Sequence, residues 1–599
     1  MRNRLPVLVV LLAVVVGGAV LDRDDDRTPD AAAAPEIATT AFPMTPADSA
    51  VTSSWFCAGG TADEEGFADH VVTMLNTTGE PLGVELTVFP GIVAPPVVDP
   101  DAEELDPEED GAEEDGAEAP AEVADVPDEP IADRLQIGPR SRVRIALSDI
   151  VTAPVASALV ESAGAGLVVE HEVSSIHGID AKPCATAASD VWHFAWGTTA
   201  REARQLLVLF NPFPDDAIVE GVFSTEDTVR EPGRFAGGLV VPARSTVGID
   251  LGDDVTRRDE VAATLRTRAG RIVVDRIVRV DEEGGERGLT VQLGVPEPQL
   301  AWVYPDGLVS ETVSQTFVVY NPTDELAEAD IAFILDRAQE LGVPEPVELS
   351  IPPGDHVTVD MGEDGRLPAG VPHSAVVRSA NGVPIVAERV VGSRDRVRRG
   401  LTVSTGSPVE ATEWTFAAGT TEPPAAQSLT MVNLDPQVIT EVDVFALVGG
   451  REVPVSELQD LVIEAGERRN VDLTARIPNR PDLAIVVRAS EPIVVERVLA
   501  QTGSEQRGIS LAVGIPAPEG RRAPVDPVES GASPAADDLD DLPTEGDDGD
   551  VPSPPEDVEL PEPDETIVID DPDAEATVPD EDDGDGGGGG GADAGDGSG

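Results

Sequence analysis

The feature that most constrains this 599-residue chain is a set of landmarks that recurs four times in the same order. Each set begins with a Trp. It continues through an Asn that ends an apolar run and through an aliphatic strand–turn–strand element, and it closes on an acidic residue followed by a basic one. The members are Trp55, Trp192, Trp302 and Trp414; Asn76, Asn211, Asn321 and Asn433; residues 137–147, 241–251, 351–361 and 463–473; and Glu170-His171, Asp275-Arg276, Glu388-Arg389 and Glu496-Arg497. Such self-similarity indicates a repeat architecture.

The spacing between landmarks supports this interpretation. Trp and Asn are 19 positions apart in the second, third and fourth copies and 21 apart in the first. Asn and the third landmark are 30 positions apart in three copies but 61 apart in the first. The excess in the first copy coincides with an acidic, Pro- and Ala-rich stretch, about residues 99–133. Its low apolar content predicts a disordered insertion.

Each copy is predicted to consist of strands. Val247, Ile249 and Leu251 alternate with the period of two that half-buried strands show, and turn signals such as Asn321-Pro322 separate the runs. The sequence therefore predicts an all-β fold, a tandem array of four immunoglobulin-like β-sandwich repeats arranged quasi-linearly. The pattern is similar to that of bacterial immunoglobulin-like accessory modules. The predicted parts are a signal anchor or transmembrane helix (1–21), a linker (22–50), repeats at 51–190, 191–300, 301–412 and 413–520, and a disordered acidic Gly-rich tail (521–599).

The N-terminus and the cysteines predict export. A basic start precedes an apolar run over residues 5–21, and acidic residues follow it, which places the rest of the chain outside the cytoplasm. No small-x-small cleavage site adjoins the run, so an uncleaved membrane anchor is favoured, with secretion after cleavage as the alternative. An exported chain with two cysteines, Cys57 and Cys184, is expected to form a disulfide, which here ties together the ends of the first copy.

The charge restricts the possible partners. The chain has 114 acidic and 40 basic residues, a net charge of −74, and Lys182 is its single lysine. Binding to phosphate backbones needs a basic surface, so nucleic acid is excluded as a partner and anionic lipid is disfavoured. A GC-rich genome alone is one explanation of this composition, and adaptation to salt is the alternative.

No motif of an enzyme is present. The sequence lacks nucleophile-elbow, phosphate-loop, dinucleotide and zinc motifs, and its histidines are scattered. We therefore predict no catalysis, no cofactor and no metal site. The acidic residues Glu170, Asp275, Glu388 and Glu496 occur once per copy, each beside a base, which favours a structural role and a partner such as Arg378 or Arg488.

The recurring Trp residues are also interpreted as structural, because their constant position suits packing in a core or between repeats. Trp196 lies outside that pattern. It is therefore the candidate for an exposed ring that stacks on sugar.

The chain resembles an actinobacterial envelope family known as domain of unknown function 5719. The residues that carry the resemblance are Trp55-Phe56-Cys57, Trp414 with Ala418-Gly419-Thr420, Asn321-Pro322 and Glu388-Arg389-Val390. The resemblance extends over about residues 50–520. It implies an envelope topology and brings no known activity.

These observations predict a non-enzymatic extracytoplasmic envelope protein, a structural spacer or interaction scaffold held in the membrane by its N-terminal helix. One alternative is a protein that binds cell-wall carbohydrate, and another is an accessory subunit of an envelope glycosyltransferase or transporter. The expected partner is an envelope protein or a wall glycan that the sequence does not identify.

Overall fold

The computed structural model describes residues 42–525, except 64–65, 97–125, 128, 283–285, 337, 396–397 and 504–506. The chain divides into two compact units, residues 1–533 and 534–599, and all described residues belong to the first. The predicted anchor, most of the predicted insertion and the predicted tail from residue 526 onward lie outside the described residues. Among the described helices, none has the length and apolar character needed to cross a bilayer.

Strands dominate the described residues, which confirms the predicted all-β class. We call the four successive groups of strands the first to fourth segments. The first segment (52–183) contains β1 Thr52–Cys57, β2 Asp69–Asn76, β3 Leu82–Val93, β4 Ile131–Ile137, β5 Ser141–Ala146, β6 Val155–Ala163, β7 Leu167–Ser175 and β8 Gly178–Pro183. The second (191–293) contains β9 Val191–Phe194, β10 Ala203–Asn211, β11 Ala217–Thr225, β12 Val229–Arg230, β13 Leu239–Val241, β14 Ser245–Asp250, β15 Val261–Ala269, β16 Val273–Asp281 and β17 Arg287–Leu293.

The third segment (301–405) contains β18 Ala301–Tyr304, β19 Val313–Tyr320, β20 Ala327–Leu335, β21 Val347–Ile351, β22 His356–Asp360, β23 His373–Ser379, β24 Val386–Arg394 and β25 Arg399–Thr405. The fourth (411–516) contains β26 Ala411–Phe416, β27 Ala425–Val432, β28 Thr440–Val448, β29 Arg451–Pro454, β30 Leu461–Ile463, β31 Arg468–Asp472, β32 Ala484–Thr502, β33 Arg507–Val513 and β34 Ile515–Pro516. Short helices span Gly233–Ala236, Ala338–Leu341, Met361–Asp364 and Leu473–Arg476, and 3-10 turns span Leu147–Asp149 and Leu251–Asp253.

The order of strand pairing recurs from segment to segment. In the first segment, one sheet runs β1-β6-β3-β4 and the other β5-β2-β7-β8. In the second segment the corresponding orders are β9-β15-β11-β13 and β14-β10-β16-β17. In the third segment they are β18-β23-β20-β21 and β22-β19-β24-β25. In the fourth segment the long strand β32 takes part in both sheets, pairing with β26 and β28 in one and with β27 and β33 in the other.

The recurring Trp and Asn residues have the same environment in every segment. Each indole is fully buried and donates from Nε1 to a backbone carbonyl three positions before the acidic landmark, at 2.9–3.1 Å. The acceptors are Leu167, Ile272, Ile385 and Ile493. Each Asn accepts from the N–H two residues ahead and donates from Nδ2 to carbonyls across the turn. These contacts form the Asx turn that the sequence suggested.

Three of the predicted boundaries need correction. Strand β4 begins at Ile131, inside the predicted insertion 99–133, because its residues pair with β3. Within the predicted linker, Pro43 is buried and the N–H of Thr45 donates to the carbonyl of Pro516 at 3.0 Å. Within the predicted tail, Arg522 pairs with the fully buried Glu410 through two hydrogen bonds, at 3.0 and 3.3 Å.

Candidate functional site

The four acid–base pairs are the most unusual groups in the described structure, because all eight side chains are almost completely buried. They lie on the corresponding strands β7, β16, β24 and β32. Neighbouring residues of a strand point to opposite faces. The acid and the base of one pair therefore reach different neighbours, and burial requires each of them to find a partner.

The partners lie in adjacent segments. Arg276 of the second segment pairs with Glu388 of the third, at 2.9 and 3.3 Å. Arg389 of the third segment pairs with Glu496 of the fourth at 2.5 Å. These contacts link the second, third and fourth segments in order, and they replace the predicted partners Arg378 and Arg488.

The fourth segment in turn contacts the first. Arg497 of the fourth pairs with Glu170 of the first, with 2.9 Å between Nη1 and Oε2. His171 Nε2 of the first lies 3.7 Å from Asp275 Oδ2 of the second. The four segments therefore form a closed ring, and the expectation of a quasi-linear array is wrong.

One backbone position completes each junction. The residue four places after the landmark Trp gives its N–H to the acid of the next segment, as Trp196 does to Glu388 at 2.6 Å and Asp306 does to Glu496 at 2.8 Å. In the second, third and fourth segments its carbonyl accepts from the basic residue of the same segment, as in the bond from Arg276 to Trp196. The N–H of Ala418 makes the same contact with Glu170, and the N–H of Gly59 makes it with Asp275 at 2.6 Å.

In three segments the buried guanidinium stacks on an aromatic ring. Arg276, Arg389 and Arg497 lie 5.1, 5.1 and 5.6 Å from the ring centroids of Phe194, Tyr304 and Phe416. Each ring packs in turn against a glycine, Gly294, Gly406 or Gly514. Cation–π contact of this kind stabilises a desolvated guanidinium.

The first segment replaces this arrangement with a disulfide. Cys57 stands at the position of the ring and Cys184 at the position of the glycine, and the two are bonded, which confirms the predicted disulfide. His171 stands at the position of the arginine. Without a ring to stack on, a guanidinium there lacks the contact that the other three have.

His70 extends this exceptional junction. Its Nδ1 lies 2.8 Å from the carbonyl of Ala156, which only accepts, so Nδ1 carries the proton and Nε2 accepts from His171 Nδ1 at 3.1 Å. A neutral His171 then presents a bare Nε2 to Asp275. Burial lowers the pKa of His70 to about 3 and that of His171 to about 4, and burial raises the pKa of Asp275 to about 7. A single proton on Asp275 or His171 is needed to make this junction complementary.

Strands β8, β17, β25 and β33 meet at the centre of the ring. Each of these strands has a glycine as its first or second residue, and these are Gly178, Gly288, Gly400 and Gly508. The backbone of the next segment lies in direct contact with each glycine. A Cβ on Gly178 would lie 2.7 Å from the N of Leu289, and one on Gly508 would lie 2.5 Å from the N of Ile179. Only glycine permits this approach without a shift of the backbone.

A second closed cycle of hydrogen bonds links these four strands. The side chain two residues after each glycine accepts an N–H from the next segment, at 3.0–3.4 Å. The acceptors are Asp180, Thr290, Thr402 and Ser510, and the donors are Val291, Val403, Leu511 and Ala181. In the first segment this cycle also contains Lys182, which is 3% exposed and lies 3.2 Å from Asp180.

Sequence reasoning missed the central strands, although the signal was present. The runs Gly178-Ile179, Gly288-Leu289, Gly400-Leu401 and Gly508-Ile509 each follow an acid–base landmark after a short hairpin. Trp196 was also interpreted wrongly. Its ring is half-buried, packs against the apolar core of the third segment and stacks on Arg276 at 5.4 Å.

The arrangement uses its chemically distinctive groups for its own assembly. The buried acids accept backbone N–H groups and guanidinium donors, and the described residues contain no cluster of three or more His, Cys, Asp or Glu side chains suited to a metal ion. Glu170, Asp275, Glu388 and Glu496 therefore connect segments. They do not face a cavity that a substrate could enter, because each is at most 1% exposed.

Comparisons with known proteins give one informative result. No curated protein matches the chain. A solved structure described as the crystal structure of Thermotoga maritima 1070 matches with 20% identity over 18% of this chain and 95% of that chain, at a TM-score of 0.17, which is too low to carry an argument. Residues 140–402 match the model of a family of unknown function, DUF5719, which confirms the suspected resemblance to that family over this part of the chain. The matched range contains Asn321-Pro322 and Glu388-Arg389-Val390, whereas Trp55-Phe56-Cys57 and Trp414 with Ala418-Gly419-Thr420 lie outside it.

Proposed function

We propose that the protein is a non-enzymatic interaction scaffold of the cell envelope, built from four immunoglobulin-like β-sandwich repeats closed into a ring. The observation that carries this proposal is the cycle of buried charge pairs that returns from Arg497 to Glu170. Breaking any one of the three arginine–glutamate pairs leaves a buried charge without its partner, so the cycle favours a rigid body with a fixed shape.

Closure favours a scaffold over a spacer. The N–H of Thr45 donates to the carbonyl of Pro516, so the two ends of the ring lie side by side. A spacer must hold its two ends apart, and a ring does not. A scaffold needs only a defined surface, which four fixed segments supply.

The disulfide of the first segment supports a location of the protein outside the cytoplasm. Cys57 and Cys184 form a disulfide, and disulfides persist in oxidising compartments. The predicted anchor at residues 1–21 has the charge distribution of a segment whose C-terminal side is exported. We therefore propose that the ring lies on the outer side of the cytoplasmic membrane, tethered by its N-terminus.

The test uses the full chain in its native host. We expect external protease to degrade the protein in spheroplasts and alkylation trapping to find both cysteines oxidised. We also expect a lysine-independent photo-crosslinker on the ring surface to give discrete adducts. Reduced cysteines and protection from protease would contradict the location, and the absence of adducts at every surface position would contradict the scaffold.

A further inference from the structure

One junction of the ring contains a groove where the other three contain packed aliphatic side chains. The residue two places after each acidic landmark faces the preceding segment. In the second, third and fourth segments it is Ile277, Val390 or Val498, and each lies in an apolar cluster between two segments. In the first segment the corresponding residue is Glu172, and it lines a groove of about 500 Å³ between the first and fourth segments.

A second substitution accompanies the first. Arg144 faces the same groove from strand β5, where the other segments carry Gly248, Thr358 and Asn470. Its Nη2 lies 2.8 Å from Glu172 Oε1. The Glu172 side chain is only 13% exposed to solvent, whereas that of Arg144 is 45% exposed. A structural junction has no need of this pair, because the three aliphatic junctions close without one.

The groove is electrically balanced. Its charged lining residues are two arginines, Arg142 and Arg144, and two acids, Glu172 and Glu422. Arg142 is occupied by the carbonyls of Ala417 and Leu483, at 3.0 and 3.1 Å. An anionic ligand would meet two carboxylates and a cationic ligand two guanidinium groups, so the charges favour a neutral ligand.

The remaining lining is mixed. Gln501 offers an amide that both donates and accepts hydrogen bonds, while Pro423, Pro424, Ile179 and Leu499 offer apolar surface. A volume of about 500 Å³ lies within the range of pockets that hold small ligands. Saccharides match both parts of this lining, since their hydroxyl groups donate and accept hydrogen bonds and their ring C–H groups pack against apolar side chains.

We propose that this groove binds a neutral, hydroxyl-rich ligand of the saccharide class, with Glu172 and Arg144 as the residues that hydrogen-bond its hydroxyl groups. The contact between them uses one carboxylate oxygen and one guanidinium nitrogen. Glu172 therefore retains an acceptor and Arg144 retains donors for the ligand. Burial raises the pKa of Glu172, which is consistent with a carboxyl group that lies out of bulk water. The proposal goes beyond the scaffold function and does not depend on where the protein resides.

The experiment measures binding of neutral trisaccharides (mannotriose, galactotriose, arabinotriose and maltotriose) to the full chain in detergent by saturation-transfer NMR and calorimetry. Trigalacturonic acid is the anionic counterpart. We expect at least one neutral trisaccharide to bind and trigalacturonic acid to bind at least tenfold more weakly. If none of the neutral sugars binds, or if the anionic sugar binds more tightly, the proposal is wrong.

Two variants locate the site. The double substitution Glu172→Ile with Arg144→Thr gives this junction the residues of the others, so it should keep the ring folded and weaken binding at least tenfold. Glu172→Gln preserves shape and should weaken binding several-fold. The matched control is Glu85→Ile with Arg134→Thr, which removes an exposed ion pair of 2.7 Å on strands β3 and β4 and should leave binding unchanged. Unchanged binding in both groove variants would overturn the assignment.

Discussion

Arg497 forms an ion pair with Glu170, 327 positions earlier in the sequence, with 2.9 Å between Nη1 and Oε2 and with both side chains fully buried. This contact joins the last segment to the first. It makes the arrangement a ring and removes the free ends that a linear array of repeats must cap.

The closing ion pair is predicted to be essential to stability. Removing one partner leaves the other charged and buried, and breaking such a pair destabilises proteins by about 3–5 kcal/mol. We expect Arg497→Met to lower the free energy of unfolding by this amount in urea titrations of the full chain. The double substitution Arg497→Met with Glu170→Met should recover part of the loss, because it leaves no unpaired charge.

The control for this experiment is the exposed pair of Arg134 and Glu85. Its removal should change the free energy of unfolding by less than about 1 kcal/mol, since exposed pairs contribute little. Equal effects of the buried and exposed substitutions would show that the ring does not depend on its closing pair.

The central glycines are predicted to be intolerant of any side chain. A Cβ at Gly508 would lie 2.5 Å from the backbone N of Ile179, which no rotamer change relieves. We expect Gly508→Ala to destabilise the ring by about 1–3 kcal/mol, as overpacking does. Gly83 lies in a strand with nothing within 4 Å of the corresponding position, so Gly83→Ala should be nearly neutral. Urea titrations of the two variants measure this difference.

Much of the fold was predictable because the local chemistry of each repeat is self-contained. The Asn turns and the Trp positions depend on residues within one segment, and constant spacing revealed them. The disulfide followed from the count of cysteines and from their position at the two ends of one copy. The ring was not predictable in this way, because its contacts join residues of different segments.

The acid–base landmarks illustrate this limit. The sequence showed that Glu388 and Arg389 are neighbours on opposite faces of a strand. It did not show that Arg276 and Glu496 are their partners, because spacing within a repeat gives no information on which repeats touch. Trp196 was expected to be exposed because it lies outside the Trp pattern. It fills a junction between segments that the sequence did not predict.

The disulfide is predicted to substitute for a ring–glycine contact. Cys57, Cys184 and His171 occupy the positions that hold an aromatic residue, a glycine and an arginine in the other segments. The triple substitution Cys57→Phe, Cys184→Gly and His171→Arg should therefore fold. Reduction should lower the free energy of unfolding of the wild type by about 5 kcal/mol, the chain-entropy value for a loop of 127 residues. The triple variant should not respond to reductant.

His171→Arg alone is the informative comparison. It introduces a guanidinium without the ring it needs for stacking, so it should be less stable than either the wild type or the triple variant. If the single variant is as stable as the triple variant, the three positions are not coupled.

The junction of His171 and Asp275 is predicted to make stability depend on pH in two opposing ways. Burial raises the pKa of Asp275 from 3.8 to about 7. The folded state therefore binds its proton more tightly than the unfolded state, and this stabilisation is complete below pH 3.8 and is lost as pH rises toward 7. Burial lowers the pKa values of His70 and His171 to about 3 and 4, so their contribution is complete above pH 6.5 and is lost as pH falls.

The variant Asp275→Asn separates the two effects. Its amide oxygen still accepts from the N–H groups of Ala58 and Gly59, which bond to Asp275 Oδ2 at 3.0 and 2.6 Å, and it does not titrate. We expect the difference in unfolding free energy between wild type and variant to fall by up to about 1.4 kcal/mol per pH unit between pH 4 and 7. Urea titrations at each pH measure this difference. A constant difference across that range would mean that Asp275 keeps an ordinary pKa in the folded state.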